Sequence, residues 1–202
     1  MIIEMRTYRL KPGSVAEVEK RFAEGLKERV KVSPLGAFFH TEVGPLNRII
    51  HCWPYEDLAH RSKVRAEKIP GWPPKTSEFI EEMESKIIIA APFSPKMEPR
   101  RLGGLYEIRT YTMQPGVTPT VIEKWAERIE GRLKFSPLAF CGHTELGALN
   151  QWIHVWAYKD AAERFAIRDK ARAAGAWPPA TSGMFVRQQN MFVVPAEFSP
   201  LR

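Results

Sequence analysis

His40-Thr-Glu-Val-Gly-Pro-Leu-Asn-Arg-Ile-Ile-His-Cys-Trp-Pro-Tyr55 is followed, 103 positions on, by His143-Thr-Glu-Leu-Gly-Ala-Leu-Asn-Gln-Trp-Ile-His-Val-Trp-Ala-Tyr158. The two stretches agree at His, Thr, Glu, Gly, Leu, Asn, Ile, His, Trp and Tyr, so the chain carries one pattern written twice. The register extends outward. Glu4-Met5-Arg6-Thr7-Tyr8 returns as Glu107-Ile108-Arg109-Thr110-Tyr111, Pro12-Gly13 as Pro115-Gly116, and Arg61 as Arg164. Trp72-Pro73-Pro74 returns as Trp177-Pro178-Pro179, 105 positions on, so two residues are gained before that point. Phe93-Ser94-Pro95 and Phe198-Ser199-Pro200 close the copies. A period near a hundred residues is far too long for a solenoid. It predicts two similar domains, residues 1–98 and 104–202, joined where Pro99, Gly103 and Gly104 break structure.

Each copy spells the same elements. A strand from about Ile3 to Leu10 ends at a Pro-Gly turn. A helix follows with Val18, Phe22, Leu26 and Val30 on one face, matched by Val121, Trp125, Ile129 and Leu133. Ser33-Pro34 stops it. Two strands flank Gly44-Pro45, or Gly147-Ala148, as a hairpin. A second helix starts at Asp57 or Asp160, is interrupted by Trp-Pro-Pro, and is expected to resume around Thr76 to Glu84. A last strand is expected over Ile87 to Ala91 and Met191 to Val194. The order β-α-β-β-α-β specifies a ferredoxin-like unit. The expected fold is α+β: two tandem ferredoxin-like domains packed sheet to sheet as an intrachain α/β barrel.

Strand residues alternate between faces. Glu4, Arg6, Tyr8, His51, Trp53 and Tyr55 share one face, and Glu107, Arg109, Tyr111, His154, Trp156 and Tyr158 its counterpart. Ile50, Cys52, Ile153 and Val155 lie on the other. The small apolar set suits a position beneath helices, so the polar and aromatic set is expected on the helix-free face, converging in the barrel interior as one pocket. His154, His51, Tyr111 and Arg109 are the candidate catalytic groups. A histidine would move a proton, a tyrosine orient it and an arginine steady an anion. Arg6, Tyr8, Trp53, Tyr55, Asn150, Trp156, Tyr158, His40 and His143 are the candidate ligand contacts. Three readings of this set stay open: a hydrogen-bond network between the halves, a ligand pocket without chemistry, and an active site. The helix residues Arg61, Arg65, Arg164 and Arg168 are expected in solvated or helix-end ion pairs.

Composition bounds the alternatives. The 202 residues are 44% hydrophobic and 26% charged, ordinary for a globular chain, and the net charge of +7 is scattered rather than blocked. No apolar run approaches the roughly 20 residues of a membrane helix. The chain enters a strand pattern at once, without a signal or transit segment, which sets cytoplasmic as the expectation. Cys52 and Cys141 do not occupy matching positions, which argues against an inherited disulfide or metal site. Phosphate loops, Cys-x-x-Cys and Gly-x-Ser-x-Gly elbows are lacking. The RNA-recognition topology is shared, but its aromatic strand run is not present, so no nucleic-acid partner is expected.

The combination Tyr-Glu-Ile-Arg-Thr-Tyr, Pro-Gly, His-Thr-Glu-Leu-Gly-x-Leu-Asn and His-x-Trp-x-Tyr resembles the NIPSNAP family, most closely over Tyr106 to Arg168 and similarly over Ile3 to Arg65. The resemblance implies the dimeric α/β barrel superfamily, which includes cofactor-free monooxygenases, lactone isomerases, dehalogenase-like proteins and haem enzymes. It supplies no catalytic residues to transfer. It makes haem compatible without requiring a cofactor, and homo-oligomerisation an expectation. The functional expectation is a small-molecule enzyme of oxygenase or isomerase type, acting on an apolar or aromatic ligand in the barrel. The alternative is a non-catalytic ligand-sensing or protein-interaction module.

Overall fold

The computed structural model describes residues 1–202. The first half runs β1 (Ile2–Leu10), α1 (Val15–Arg29), β2 (Ala37–Val43), β3 (Arg48–Tyr55), α2 (Leu58–Ala66) and β4 (Ile80–Ala90). The second runs β5 (Leu105–Met113), α3 (Thr118–Leu133), β6 (Leu138–Leu146), β7 (Gln151–Tyr158), α4 (Ala161–Ala173) and β8 (Phe185–Pro195). All eight strands form one closed antiparallel barrel in the order β1-β3-β2-β8-β5-β7-β6-β4, with β4 returning to β1. Each half contributes a ferredoxin-like four-strand sheet, and the halves join at two seams, β2 with β8 and β4 with β6. Closure leaves no free strand edge and no open sheet face of the kind RNA-recognition domains use.

The seams are tied by a reciprocal exchange. Ser94, at the close of the first half, accepts a hydrogen bond from the Cys141 backbone N–H of β6 at 3.0 Å. Ser199, at the close of the second, accepts one from the Phe38 N–H of β2 at 3.0 Å. The repeated Phe-Ser-Pro therefore caps the other half's strand, and the internal two-fold is built from side chains as well as topology.

The strand faces lie opposite to the expectation. The barrel interior is a single apolar cluster drawn from both halves, including Ile3, Met5, Ile50, Cys52, Ile108 and Ile153. Glu4, Arg6, Tyr8, His51 and Trp53, with their counterparts, face outward and are covered by the helices. Tyr8 and Trp53 pack with Phe22 and Leu26 of α1, and Trp152 and Trp156 with Trp125 and Ile129 of α3. The reason is volume. An eight-stranded barrel encloses only enough space for side chains to fill. Aliphatic residues with Phe39, Phe140 and Tyr106 already fill it, leaving no room for two sets of Arg and Trp. The helix layer has room for them.

Two further differences concern the helices. α1 ends at Arg29 and α3 at Leu133, and the last buried positions are Arg29 and Arg132. Val30 and Leu133 are instead 43% and 39% exposed. Four-residue spacing sustained over three steps drifts off a 3.6-residue turn, so the final core position falls at the third residue. The helix expected to resume around Thr76 is only a 3-10 turn, Ser77–Phe79, after which β4 begins at Ile80. Its Glu81-Glu82-Met83-Glu84 run has helix-favouring composition, but pairing with β1 overrides it. Glu81 and Glu82 hold Arg9 at 2.6 and 2.8 Å there.

Removing the Ser199 hydroxyl leaves a buried backbone N–H without a partner. Ser199→Ala is expected to lower unfolding free energy by about 1–3 kcal/mol in urea titration, with an unchanged fold by circular dichroism. An effect under about 0.5 kcal/mol, the level of ordinary surface substitutions, would remove the seam-capping role.

Candidate functional site

Beneath the helices each half holds a buried carboxylate. Glu4 is fully buried and accepts from Arg61 of α2 at 2.7 Å, Ser85 of β4 at 2.9 Å and Arg6 at 2.9 Å. Glu107 repeats the arrangement with Arg164 and Arg109, both at 2.5 Å, and Asn190 at 2.7 Å. Burial pushes each carboxyl pKa up. Hydrogen bonds from Arg61, Ser85 and Arg6 outweigh it and hold Glu4 at about 2, and Arg164 and Arg109 hold Glu107 below its ordinary value. Arg61 and Arg164, expected in solvated ion pairs, instead reach inward to these carboxylates.

The arginine of β1 or β5 is pinned on its other side too. Arg6 Nε donates to the Tyr8 hydroxyl at 2.7 Å, and Arg109 Nε to Tyr111 at 2.7 Å. Each tyrosine oxygen is thus an acceptor toward arginine and keeps its own O–H free to donate. Next along the same face lies the histidine. The indole Nε1–H of Trp53 donates to His51 Nδ1 at 2.6 Å, and that of Trp156 to His154 Nδ1 at 2.7 Å. An indole nitrogen can only donate, so Nδ1 must accept and the proton of the neutral ring sits on Nε2. Both rings are 2% exposed, and neither Nε2 has a protein partner. Burial, with nearby Arg6, lowers the His51 pKa to about 3. Burial, with Arg109 and Arg168, carries His154 well below its ordinary value.

A cavity lies against each histidine, between sheet and helices. The first, of about 540 Å³, is bordered by Arg6, Tyr8, His51, Trp53 and Tyr55 and roofed by Trp72, Pro73 and Pro74. The second, of about 440 Å³, is bordered by Arg109, Tyr111, His154 and Arg168 and roofed by Trp177, Pro178 and Pro179. Both volumes fall in the roughly 300–1,000 Å³ range of small-molecule sites. The single pocket expected inside the barrel is therefore two pockets outside it.

The remaining candidates fall elsewhere. Trp156 stands behind His154 as its hydrogen-bond donor, and the Tyr158 hydroxyl accepts from Arg132 at 3.2 Å. Neither borders the second cavity. Asn150, like Asn47, occupies a hairpin turn with φ near 55°, a left-handed conformation that asparagine tolerates well. His40 bonds Glu19 of α1 at 2.8 Å, and neither it nor His143 borders either of these two cavities.

Sequence reasoning missed Arg29 and Arg132. Each guanidinium lies over a tryptophan face, 4.2 Å from Trp53 and 4.3 Å from Trp156, and donates to Tyr55 or Tyr158 at 3.2 Å. Their repetition at the common register was the available signal. Trp72 and Trp177 were also missed as pocket walls, since Trp-Pro-Pro reads first as a helix break.

No group of three His, Cys, Asp or Glu side chains gathers to hold a metal. At His51 and His154 a haem iron would find no free lone pair, because Nδ1 of each ring accepts from tryptophan and Nε2 carries the proton. These two rings do not fit as its ligands.

The NIPSNAP family model matches residues 3–95 and again 106–200. The chain belongs to the NIPSNAP family. It is 31% identical to the human protein NipSnap homolog 3A over 98% of this chain and 85% of that one. It is 24% identical to Drosophila melanogaster NipSnap over 99% and 78%. Among solved structures, a candidate monooxygenase from Fusobacterium nucleatum superposes with a TM-score of 0.65 at 12% identity, covering 96% of this chain and 91% of that one. One from Lactobacillus acidophilus reaches 0.64 at 6%, covering 96% and 93%. At those identities the likeness shows a shared barrel fold and nothing of its chemistry. No helix is long and apolar enough to cross a membrane.

Nitrogen-resolved NMR should find His51 and His154 neutral with the proton on Nε2 at pH 5, where a free histidine is already cationic. Because the folded pKa of His51 is depressed from 6.5 to about 3, its contribution to stability is full above pH 6.5 and is lost as pH falls through 3. A folded-state pKa of either ring near 6.5, or a proton on Nδ1, would contradict the tryptophan lock.

Proposed function

We propose that this NIPSNAP protein binds a small molecule with an apolar, planar body and at least one acceptor oxygen, in the cavities between sheet and helices. The supporting observation is the histidine Nε2–H. It is a buried donor with no protein partner, held at the edge of an aromatic-walled cavity in both halves. An unpaired buried donor is costly, and a ligand oxygen would satisfy it. Arginine and the free tyrosine O–H beside it also only donate here. Trp125 and Trp177, packed edge to face with ring centroids 4.7 Å apart, form an aromatic wall for the body.

The donor set narrows what an enzyme of this kind could do. Nε2 is not a free base while Trp156 occupies Nδ1, so His154 polarises an oxygen rather than removing a proton. Arg109 and Tyr111 would steady an enolate or phenolate oxygen in the same place. That step is one that oxygenase and isomerase chemistry of the expected kind would require.

The test is titration of tryptophan fluorescence with three compounds sharing one ring system: 2-naphthoate, 2-acetonaphthone and 2-ethylnaphthalene. The two oxygen-bearing compounds are expected to bind about tenfold or more tighter than the hydrocarbon. The advantage should shrink in the His51→Phe, His154→Phe double variant. Equal binding of all three would reduce the cavities to apolar voids.

A further inference from the structure

The two cavities are not copies of each other, and the differences concern charge. In the first half, the arginine of α2 nearest the cavity, Arg65, lies 3.9 Å from Glu4 Oε2, an oxygen with no hydrogen-bond partner. Glu67 adds a carboxylate to that cavity's wall. In the second half, Glu107 Oε2 is already taken by Arg164 Nε at 3.2 Å. Arg168, partly buried against the cavity, therefore makes no ion pair. Burial and the nearby positive Arg109 disfavour its charge, and Glu107 offsets them only in part. α4 is also longer than α2, and its added turn places Arg172 on the cavity wall, with only the exposed Asp169 near it at 3.8 Å. No carboxylate borders this cavity. Its floor carries Gln188 where the larger first cavity carries Met83.

We infer that the halves sort ligands by charge: the second cavity takes a small aromatic or apolar carboxylate, and the first takes an uncharged ligand with a carbonyl acceptor. This rests on the ligand-binding reading above. In the second cavity, a carboxylate would bridge Arg168 and the His154 Nε2–H, with Arg172 at the mouth adding attraction. It would add a partner for Arg168, which lies beside Arg109 while Glu107 is taken by Arg109 and Arg164. In the first cavity the same carboxylate would meet Glu67 at the wall and find Arg65 already drawn toward Glu4. The wall there is more aliphatic, with Val64, Ile69 and Ile80, which suits a neutral body. The change thus lies in the residues around a conserved pair of donors, Tyr O–H and His Nε2–H, so both cavities keep the acceptor requirement and differ only in the charge they accept.

Fluorine NMR of protein labelled with 5-fluorotryptophan reads the cavities separately, through Trp72 in the first and Trp177 in the second, assigned by single Trp→Phe substitutions. 2-Naphthoate should shift the Trp177 signal at a concentration about tenfold lower than the Trp72 signal. 2-Acetonaphthone should shift Trp72 first. Arg172→Glu, on an exposed helix turn, should raise the naphthoate midpoint at Trp177 by about tenfold. It should leave the acetonaphthone midpoint at Trp72 unchanged. Charge sorting is overturned if both compounds move both signals with equal midpoints, if the order is reversed, or if Arg172→Glu leaves the naphthoate midpoint unchanged. If neither compound moves either signal, the ligand-binding reading itself fails.

Discussion

A carboxylate buried between sheet and helix is the interaction on which each half depends. Glu4 and Glu107 are fully enclosed, and an enclosed carboxylate is tolerable only when donors surround it. The donors come from separate elements. Arg6 or Arg109 lies on the same strand, Ser85 or Asn190 on the neighbouring strand, and Arg61 or Arg164 on the helix above. The carboxylate therefore fixes where α2 and α4 sit over the barrel. Through the strand arginine it also fixes the tyrosine hydroxyl, and so the polar edge of each cavity. Folding geometry and site geometry share one constraint.

That constraint explains how far the sequence could be read. The repeat, the β-α-β-β-α-β order and the barrel follow from apolar periodicity and turn residues, which report local geometry. The alternation of faces was equally legible, and it correctly grouped Arg6, Tyr8, His51 and Trp53. Which face looks inward was not, because that depends on a volume set by eight strands together. Ala37, Ala139, Gly142 and Ala157, all on or beside the inward face, were the sign of a narrow interior. At Gly142 even a methyl group would overlap the Ile89 carbonyl oxygen. The inward reach of Arg61 and Arg164 was hidden for a related reason: a helix arginine looks solvated until the carboxylate beneath it is located. A left-handed turn position and a ligand contact both select asparagine, and at Asn150 the turn is what the structure shows.

The histidines show how one neighbour decides a role. An imidazole in mid-strand among tryptophans suggests a base of lowered pKa, and the lowering is present. The indole of Trp156 nevertheless occupies the Nδ1 lone pair that a base would use, leaving the proton on Nε2. Trp53 does the same for His51. A fold shared with candidate monooxygenases at 6 to 12% identity is compatible with many chemistries.

The account stands or falls on the buried carboxylate acting as an organiser rather than a passive ion pair. A double-mutant cycle on Glu107→Gln and Arg164→Gln, read as unfolding free energy in urea, tests that directly. Each single change strands a partner in a buried setting, so the expected coupling is about 2 kcal/mol or more, with the double variant more stable than the two single losses would sum to. A coupling within about 0.5 kcal/mol of zero, the level of an exposed ion pair, would contradict it.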